Sequence, residues 1–438
     1  MLSVLAHRTY RHLFFAQVIA LVGTGLATVA LGLLAYDIAG ADAGAVLGTA
    51  LAIKMVAYIG IAPVVGAYAD RLPRKTLLVA MDVVRAGVAF MLPFVDAVWQ
   101  VYLLIFLLQS ASAAFTPTFQ ATIPDILPDE DEYTNALSLS RLAYDLESLL
   151  SPMLAAALLT VISFHWLFAG TSIGFVISAL LVVTSALPHR RAAAKLVESV
   201  WRKTTRGTRI YLKTPRLLGL LFVTLAAAAG SAMVIVNTVV IVKGMGRSQE
   251  DVALALAAYG GGSMLAALLL PRVLKSASDR TVMLFGSVIL AAALAVFGLV
   301  ALDWPVLLAG WLVMGIGYSL CVTPGGRLLR RSSTEPDRPA LFAAQFALSH
   351  VCWLLAYPVA GQLGARFGMA PAFLALAALA VAGVALALWR WPKNDPAEIA
   401  HEHPDLPADH PHLVEHGADE HSHAYVIDEI HGHWPGRA

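Results

Sequence analysis

The sequence predicts an all-α membrane protein with twelve transmembrane helices in two six-helix, pseudo-symmetric halves. Three observations carry this. The 438-residue chain is 58% hydrophobic and only 13% charged, where a soluble chain carries about a quarter charged residues. Its apolar residues fall in blocks of about twenty, long enough to cross about 30 Å of hydrocarbon. A basic stretch near the middle separates two sets of six such blocks. No alternation of apolar and polar residues suggests a barrel.

Taken in order, the blocks place spans at 12–36, 46–69, 76–95, 98–121, 135–162, 165–187, 216–242, 252–271, 281–302, 305–323, 340–364 and 371–391. Pro63, Pro152 and Pro358 fall inside spans, where neighbouring helices re-satisfy the backbone. The chain divides into a first half at 1–188, a basic linker loop at 189–215, a second half at 216–391 and a tail at 392–438. Lys and Arg set the orientation. With the N-terminus cytoplasmic, only Lys243, Arg247 and Arg366 fall outside, and Lys54 and Arg141 lie within spans. Both termini are therefore expected in the cytoplasm. Met1–Arg11 lacks a signal-peptide pattern. The expected surroundings are a bilayer and no nucleic acid, with the chain as a monomer. No Ser-His-Asp arrangement or phosphate loop is present, so no enzyme, cofactor or ATP-driven pump is expected.

The halves repeat each other's punctuation. Gly66-Ala-Tyr-Ala-Asp70-Arg71-Leu-Pro-Arg74-Lys75 follows span two, and Pro271-Arg272 through Asp279-Arg280 follows span eight. Ser151-Pro152 in span five matches Tyr357-Pro358 in span eleven. Superposing the two prolines puts His350 level with Tyr144, one residue from Asp145.

Span five carries the costliest residues. Arg141, Asp145 and Glu147 lie within seven positions, each costing about 2.5–3.5 kcal/mol at a helix centre. Arg141 and Asp145 are four apart and share a face. Glu147 is two further on, on another face, in line with Tyr144, Ser148 and Ser151. The pair reads as structural, and Glu147 is left to face a cavity and bind a proton or a metal. A structural network between helices is the alternative. His350 is either a metal ligand or a histidine bonded to a neighbouring helix. Asn237 and Gln17 read first as packing hydrogen bonds. Lys54 either compensates an acid or snorkels. Cys321 and Cys352 form no CxxC and read as small core residues.

The tail is polar and Pro-rich and is expected to be disordered on its own. It holds nine of the chain's fourteen histidines. Four His-x-His pairs stand out: His401/His403, His410/His412, His421/His423 and His431/His433, with His416 alone. In an extended chain, residues i and i+2 point the same way, so each pair is expected to chelate one transition-metal ion, with nearby carboxylates as oxygen ligands.

Gly66-x-x-x-Asp70-Arg71-x-x-Arg74-Lys75, extended by Asp82 and Arg85, resembles the signature loop of the major facilitator superfamily. The likeness covers about 8–391 and implies the major facilitator fold, with these residues as a conformational switch. Pro117 through Pro128 resembles the exporter branch that includes enterobactin-type exporters. The His-rich end and the acidic span five are similar to NreB-type nickel-resistance exporters. That likeness implies efflux of Ni²⁺, or Co²⁺ or Fe²⁺, across a bacterial inner membrane. Span four departs from the drug-exporter pattern: Phe106 and Ser110 stand where that pattern has Arg and Gly. With the usual coupling arginine absent, the acids of span five become the place for the coupling proton. Two rivals remain: a siderophore, metal–chelate or drug exporter with a metal-sensing tail, and a membrane metal receptor that does not transport.

Overall fold

A computed structural model describes residues 2–68, 73–127, 129–187, 200–334, 337–395, 398–403, 407, 411–416, 421–428 and 430–435. For some helical residues, Arg141 and Asp145 among them, only the backbone is described. The helices of the first half are α1 (Arg8–Ala39), α2 (Ala43–Tyr68), α3 (Arg74–Met91), α4 (Val98–Ile126), α5 (Glu130–Leu159) and α6 (Phe164–Thr184). A linker helix, α7 (Val200–Lys213), follows. The second half comprises α8 (Pro215–Gly244), α9 (Gln249–Val273), α10 (Asp279–Leu299), α11 (Trp304–Val322), a short α12 (Gly325–Arg331), α13 (Arg338–Phe367) and α14 (Met369–Arg390). The tail holds β1 (Glu398–His401), α15 (Pro411–His416) and β2 (His421–Ala424).

Among the described residues, ten helical stretches are long and apolar enough to cross a membrane. The first of these, Arg8–Ile61, joins α1 and α2. The remaining long helix is α5, 30 residues that include Arg141, Asp145 and Glu147. The twelve long helices thus match the twelve predicted spans. Their starts follow local chemistry. Asp129, Ser248, Ser278 and Asp303 each accept a backbone N–H from the first turn of the helix that follows, which satisfies an otherwise orphaned donor.

The packing obeys a two-fold pattern. In the first half α1 packs on α5 and α6, α4 on α2 and α3, and α3 on α6. In the second half α8 packs on α13 and α14, α11 on α9 and α10, and α10 on α14. The seam between halves is built from α2 against α13 and α5 against α9, two contacts that the same symmetry exchanges. At the end near the α1–α2 turn, the α2–α13 contact is backbone to backbone. A Cβ on Gly361 would collide with the Gly44 carbonyl, and one on Gly48 would lie 2.6 Å from the Tyr357 carbonyl. Gln362 also donates to Thr49 across the seam at 3.1 Å. Small residues permit this approach where lipid offers no hydrophobic drive.

Two expectations need correction. The stretch 189–215 is not a plain loop: its second part is α7. Ile210 and Tyr211 are buried, Gly207 abuts the Ala340 backbone, and Arg206 pairs with Asp337 at 2.8 Å. One apolar face laid on α13 explains why the helix forms. The tail is not structureless either. β1 and β2 pair antiparallel, with His401 opposite His421 and Ile399 opposite His423. Leu413, Tyr425 and Ile427 are buried, which supplies an apolar base that the composition alone concealed.

Candidate functional site

The seam holds a polar cluster. Glu147 and Ser151, one turn apart on α5, reach the same spot on α1: a Cβ on Gly25 would collide with Ser151 Oγ and lie 2.7 Å from Glu147 Oε1. The Lys54 ammonium, on α2, is the charge that both Glu147 and His350 sense. One turn along α2, the Tyr58 ring stacks on the His350 imidazole with centroids 5.2 Å apart, and Phe346 lies 4.1 Å from the same imidazole. His350 Nδ1 bonds the Phe346 carbonyl at 2.6 Å. Tyr144 lies 3.4 Å from Thr116 of α4, and Ser140 donates to Gln17 of α1 at 3.0 Å. Glu147, Lys54, Tyr144 and His350 are all half-buried. One acid, one ammonium and one imidazole are therefore carried by α5, α2 and α13, the helices that form the seam, with the ammonium close enough to the other two to act on them electrostatically.

Other predicted residues lie elsewhere. The side chains of Arg141 and Asp145 are outside the described residues, as are Asp70 and Arg71. Gly66 lies within α2. Asn237 is buried and donates to the Ala360 carbonyl at 2.9 Å, and its Oδ1 packs against Gly44 and Gly364. It ties α8 to α13 near the α1–α2 turn. Asp82 and Arg85 form an ion pair inside the first half. Ser178 donates to Asp82 at 2.7 Å, and Phe115 and Phe175 rings lie 4.2 and 4.5 Å from the Arg85 guanidinium. The pair thus joins α3 to α4 and α6 and does not bridge the halves. Lys75 donates to the Ser185 carbonyl at 2.9 Å, and Arg74 opens α3. In the second half Asp279 pairs with Arg327 at 3.6 Å. Lys54 is the residue that the sequence left undecided; a lone ammonium in an apolar span was its only signal. Cys321 and Cys352 are buried free thiols.

The tail gathers imidazoles. One nitrogen from each of His401, His403, His412, His421 and His423 lies within 4.8 Å of all the others. His431 joins them, its Nε2 3.1 Å from His401 Nε2. Pairing of β1 with β2 brings in the two His-x-His runs, α15 contributes His412, and the following turn contributes His431. His433 instead lends its carbonyl to the Tyr425 hydroxyl at 2.6 Å. His410 and the His416 side chain are outside the described residues. Burial pushes the His401 imidazole down to about 4, and the imidazoles of His423, His431 and His403 add to this. Burial also lowers His403, again with help from its neighbours. Burial opposes ionisation of Asp428, but hydrogen bonds from His431 and the backbone hold its carboxyl below the usual range. The His401 and His403 imidazoles are therefore neutral near pH 7, the form that binds metal. Asp428 is a hydrogen-bond partner of His431.

The tail sits on the second half. Asp395 meets Arg216 at 3.5 Å and Arg331 at 3.4 Å, and the Trp391 indole donates to it at 3.3 Å. A cleft of about 700 Å³ beside it is lined by Asp279, Arg327, Arg330, Arg331 and Asp395.

Comparison with known proteins decides the family. The Major Facilitator Superfamily model matches residues 13–246 and 220–418. The chain belongs to the Major Facilitator Superfamily. Among curated superfamily relatives, Macrolide efflux protein A of Streptococcus pyogenes is 26% identical over 152 residues, which are 32% of this chain and 37% of that protein. The uncharacterized MFS-type transporter YkuC of Bacillus subtilis is 25% identical over 209 residues, 47% of each chain. These matches span less than half of the relatives' length. Among solved structures, a bacterial homolog of the human lysosomal transporter Spinster aligns with TM-score 0.67 at 12% identity, covering 89% of this chain and 99% of that one. The nucleoside transporter NupG aligns with TM-score 0.60 at 15% identity, covering 87% of this chain and 98% of that one. They share the superfamily fold. As a superfamily member with twelve long helices, the chain is a multi-pass membrane protein.

Proposed function

We propose that this chain exports a divalent transition-metal cation by alternating access of its two halves, in exchange for protons. Ni²⁺ is the first candidate, and Co²⁺ and Fe²⁺ follow. The observation that carries the reading is the seam cluster: a carboxylate, an ammonium and an imidazole from three helices, each of which packs against the opposite half. An intramembrane acid marks an ion pathway by default, and a carboxylate trades a proton for a cation. Imidazole nitrogen with carboxylate oxygen suits borderline divalent ions. Lys54 places a positive charge near Glu147, so an arriving cation has to compete with an ammonium. Asp145 and Arg141 remain candidate partners on the same helix. The loop from Gly66 to Lys75 is proposed to set which face is open. The tail collects metal on the cytoplasmic side of a bacterial cell membrane, an orientation supported by the distribution of Lys and Arg.

The test is transport in proteoliposomes loaded with Ni²⁺ under an imposed pH gradient. Wild type should move the ion and Glu147→Gln should not. Equal rates in both would sink the site assignment, and no movement in either would sink the function.

One observation favours a second reading. Tyr58, His350 and Phe346 form an aromatic stack at the seam, a surface suited to an organic molecule, and curated relatives include a macrolide efflux protein. On this reading the core exports a drug or metal–chelate and the tail senses metal. Extrusion of a fluorescent drug by the wild type, with no Ni²⁺ movement, would select it.

A further inference from the structure

We infer that the tail forms one mononuclear metal centre with six imidazole ligands, His401, His403, His412, His421, His423 and His431, in place of four separate His-x-His chelates. This deepens the reading of the tail as a metal collector and rests on that part of it alone.

The tautomers make the first argument. His401 Nδ1 faces the Ile399 carbonyl at 2.8 Å, and His431 Nδ1 faces Asp428 Oδ1 at 2.9 Å. Both acceptors require a proton on Nδ1, so in the neutral form, which metal binding requires, Nε2 carries the lone pair in each ring. Those two lone pairs then point at each other across 3.1 Å. Two acceptors at that distance repel unless a cation lies between them. His423 Nδ1 likewise faces the Ala424 carbonyl at 3.0 Å. His403 Nε2 is buried with no hydrogen-bond partner among the described residues, as a ligand awaiting an ion would be.

The spacing makes the second argument. With metal–nitrogen bonds of about 2.1 Å, adjacent ligands of an octahedron lie about 3.0 Å apart and opposite ones about 4.2 Å. The His401–His431 nitrogens are 3.1 Å apart and the His412–His421 nitrogens 3.2 Å. The greatest separation among the five, 4.8 Å, needs an inward shift of only a few tenths of an ångström per ring. Five nitrogens within 4.8 Å of one another, with His431 Nε2 added 3.1 Å from His401 Nε2, suit a six-coordinate divalent ion of the nickel, cobalt or iron type better than Zn²⁺, which is satisfied by four ligands. Asp428 behind His431 is the carboxylate–histidine support that orients a metal-bound ring.

The centre also touches the membrane helices. Tyr425 packs against His401 and His431 at 4.8 and 4.6 Å, and Trp434 packs on Tyr425 at 5.3 Å. Trp434 in turn lies 4.7 Å from the Arg216 guanidinium at the start of α8, and Lys213 holds the Gly432 carbonyl at 2.8 Å. Filling the centre fixes 431–434 against these two residues.

The experiment titrates the purified full chain with Ni²⁺, counts bound metal and records nickel-edge X-ray absorption. One tail ion with six nitrogen donors at about 2.1 Å is expected. His401→Ala and His431→Ala should lose it. Asp428→Asn should weaken it by about 10- to 100-fold, which covers the case in which an alanine variant misfolds. His433→Ala should bind as wild type does. Several ions per tail, a four-coordinate or oxygen-rich shell, or a His433→Ala loss equal to that of His431→Ala would each overturn the inference. Glu147→Gln separates the two readings. If it keeps the ion, the centre is in the tail whatever the core transports. If it removes the ion, the metal was at the seam and the inference fails.

Discussion

The seam and the tail both gather groups able to hold a cation, but they do so in opposite ways. At the seam, Glu147 shares its surroundings with a competing ammonium and sits among aromatic rings in a membrane-spanning bundle. In the tail, imidazoles converge with the rings of His401, His423 and His431 already oriented by carbonyls and by Asp428. The first arrangement makes binding conditional, because a resident charge must be displaced. The second makes binding favourable from the outset. A collector gains from tight capture, whereas a carrier has to let go, and the two sites divide along that line.

The comparison is open to direct attack. The largest expected effect is that of Glu147→Gln: Ni²⁺ movement in proteoliposomes should fall to the empty-liposome background while the tail keeps its metal. Loss at both sites would erase the distinction. Next is Asp395→Asn. Arg216 is 1% exposed, and stripping the partner from a buried charge costs about 3–5 kcal/mol. The purified protein should melt earlier and the tail should become protease-sensitive, measured by thermal unfolding and limited proteolysis. Lys54→Met should have a smaller effect of a distinctive kind: cation affinity should tighten by about tenfold, equivalent to about 1.4 kcal/mol, while turnover slows. Weaker affinity would show that Lys54 organises the seam and does not compete at it. Asn237→Ala should be the mildest. Losing one interhelical hydrogen bond costs about 0.6 kcal/mol, visible in thermal stability and not in metal affinity.

The helices were legible because apolar blocks of membrane length have few alternative fates. The duplication was legible in Pro152 and Pro358 and in the two loop motifs. What escaped depended on contacts distant in sequence. The α7 helix forms because Ile210 and Tyr211 have α13 to lie against, and a basic stretch read by itself gives no sign of that. Lys54 gained meaning from Glu147, 93 positions away, and from His350 in the other half. In the tail, the His-x-His spacing correctly placed histidines on one side of each strand. It gave no hint that β1 and β2 would pair, or that Asp428 would hold the ring of His431. Asp82 and Arg85 matched a motif, yet their partners Ser178, Phe115 and Phe175 all belong to the same half.

The meeting of Gly44 and Gly48 with Gly361 has a mechanical consequence. A latch made of interlocked side chains has teeth that must be withdrawn one rotamer at a time before it parts. This one has none. Two bare backbones can peel away from each other without any side chain changing its conformation at the line of contact. The hydrogen bond from Gln362 to Thr49 is the toggle that remains, so prising this end open is a low-friction movement, and adding one methyl group at Gly361 would jam the hinge.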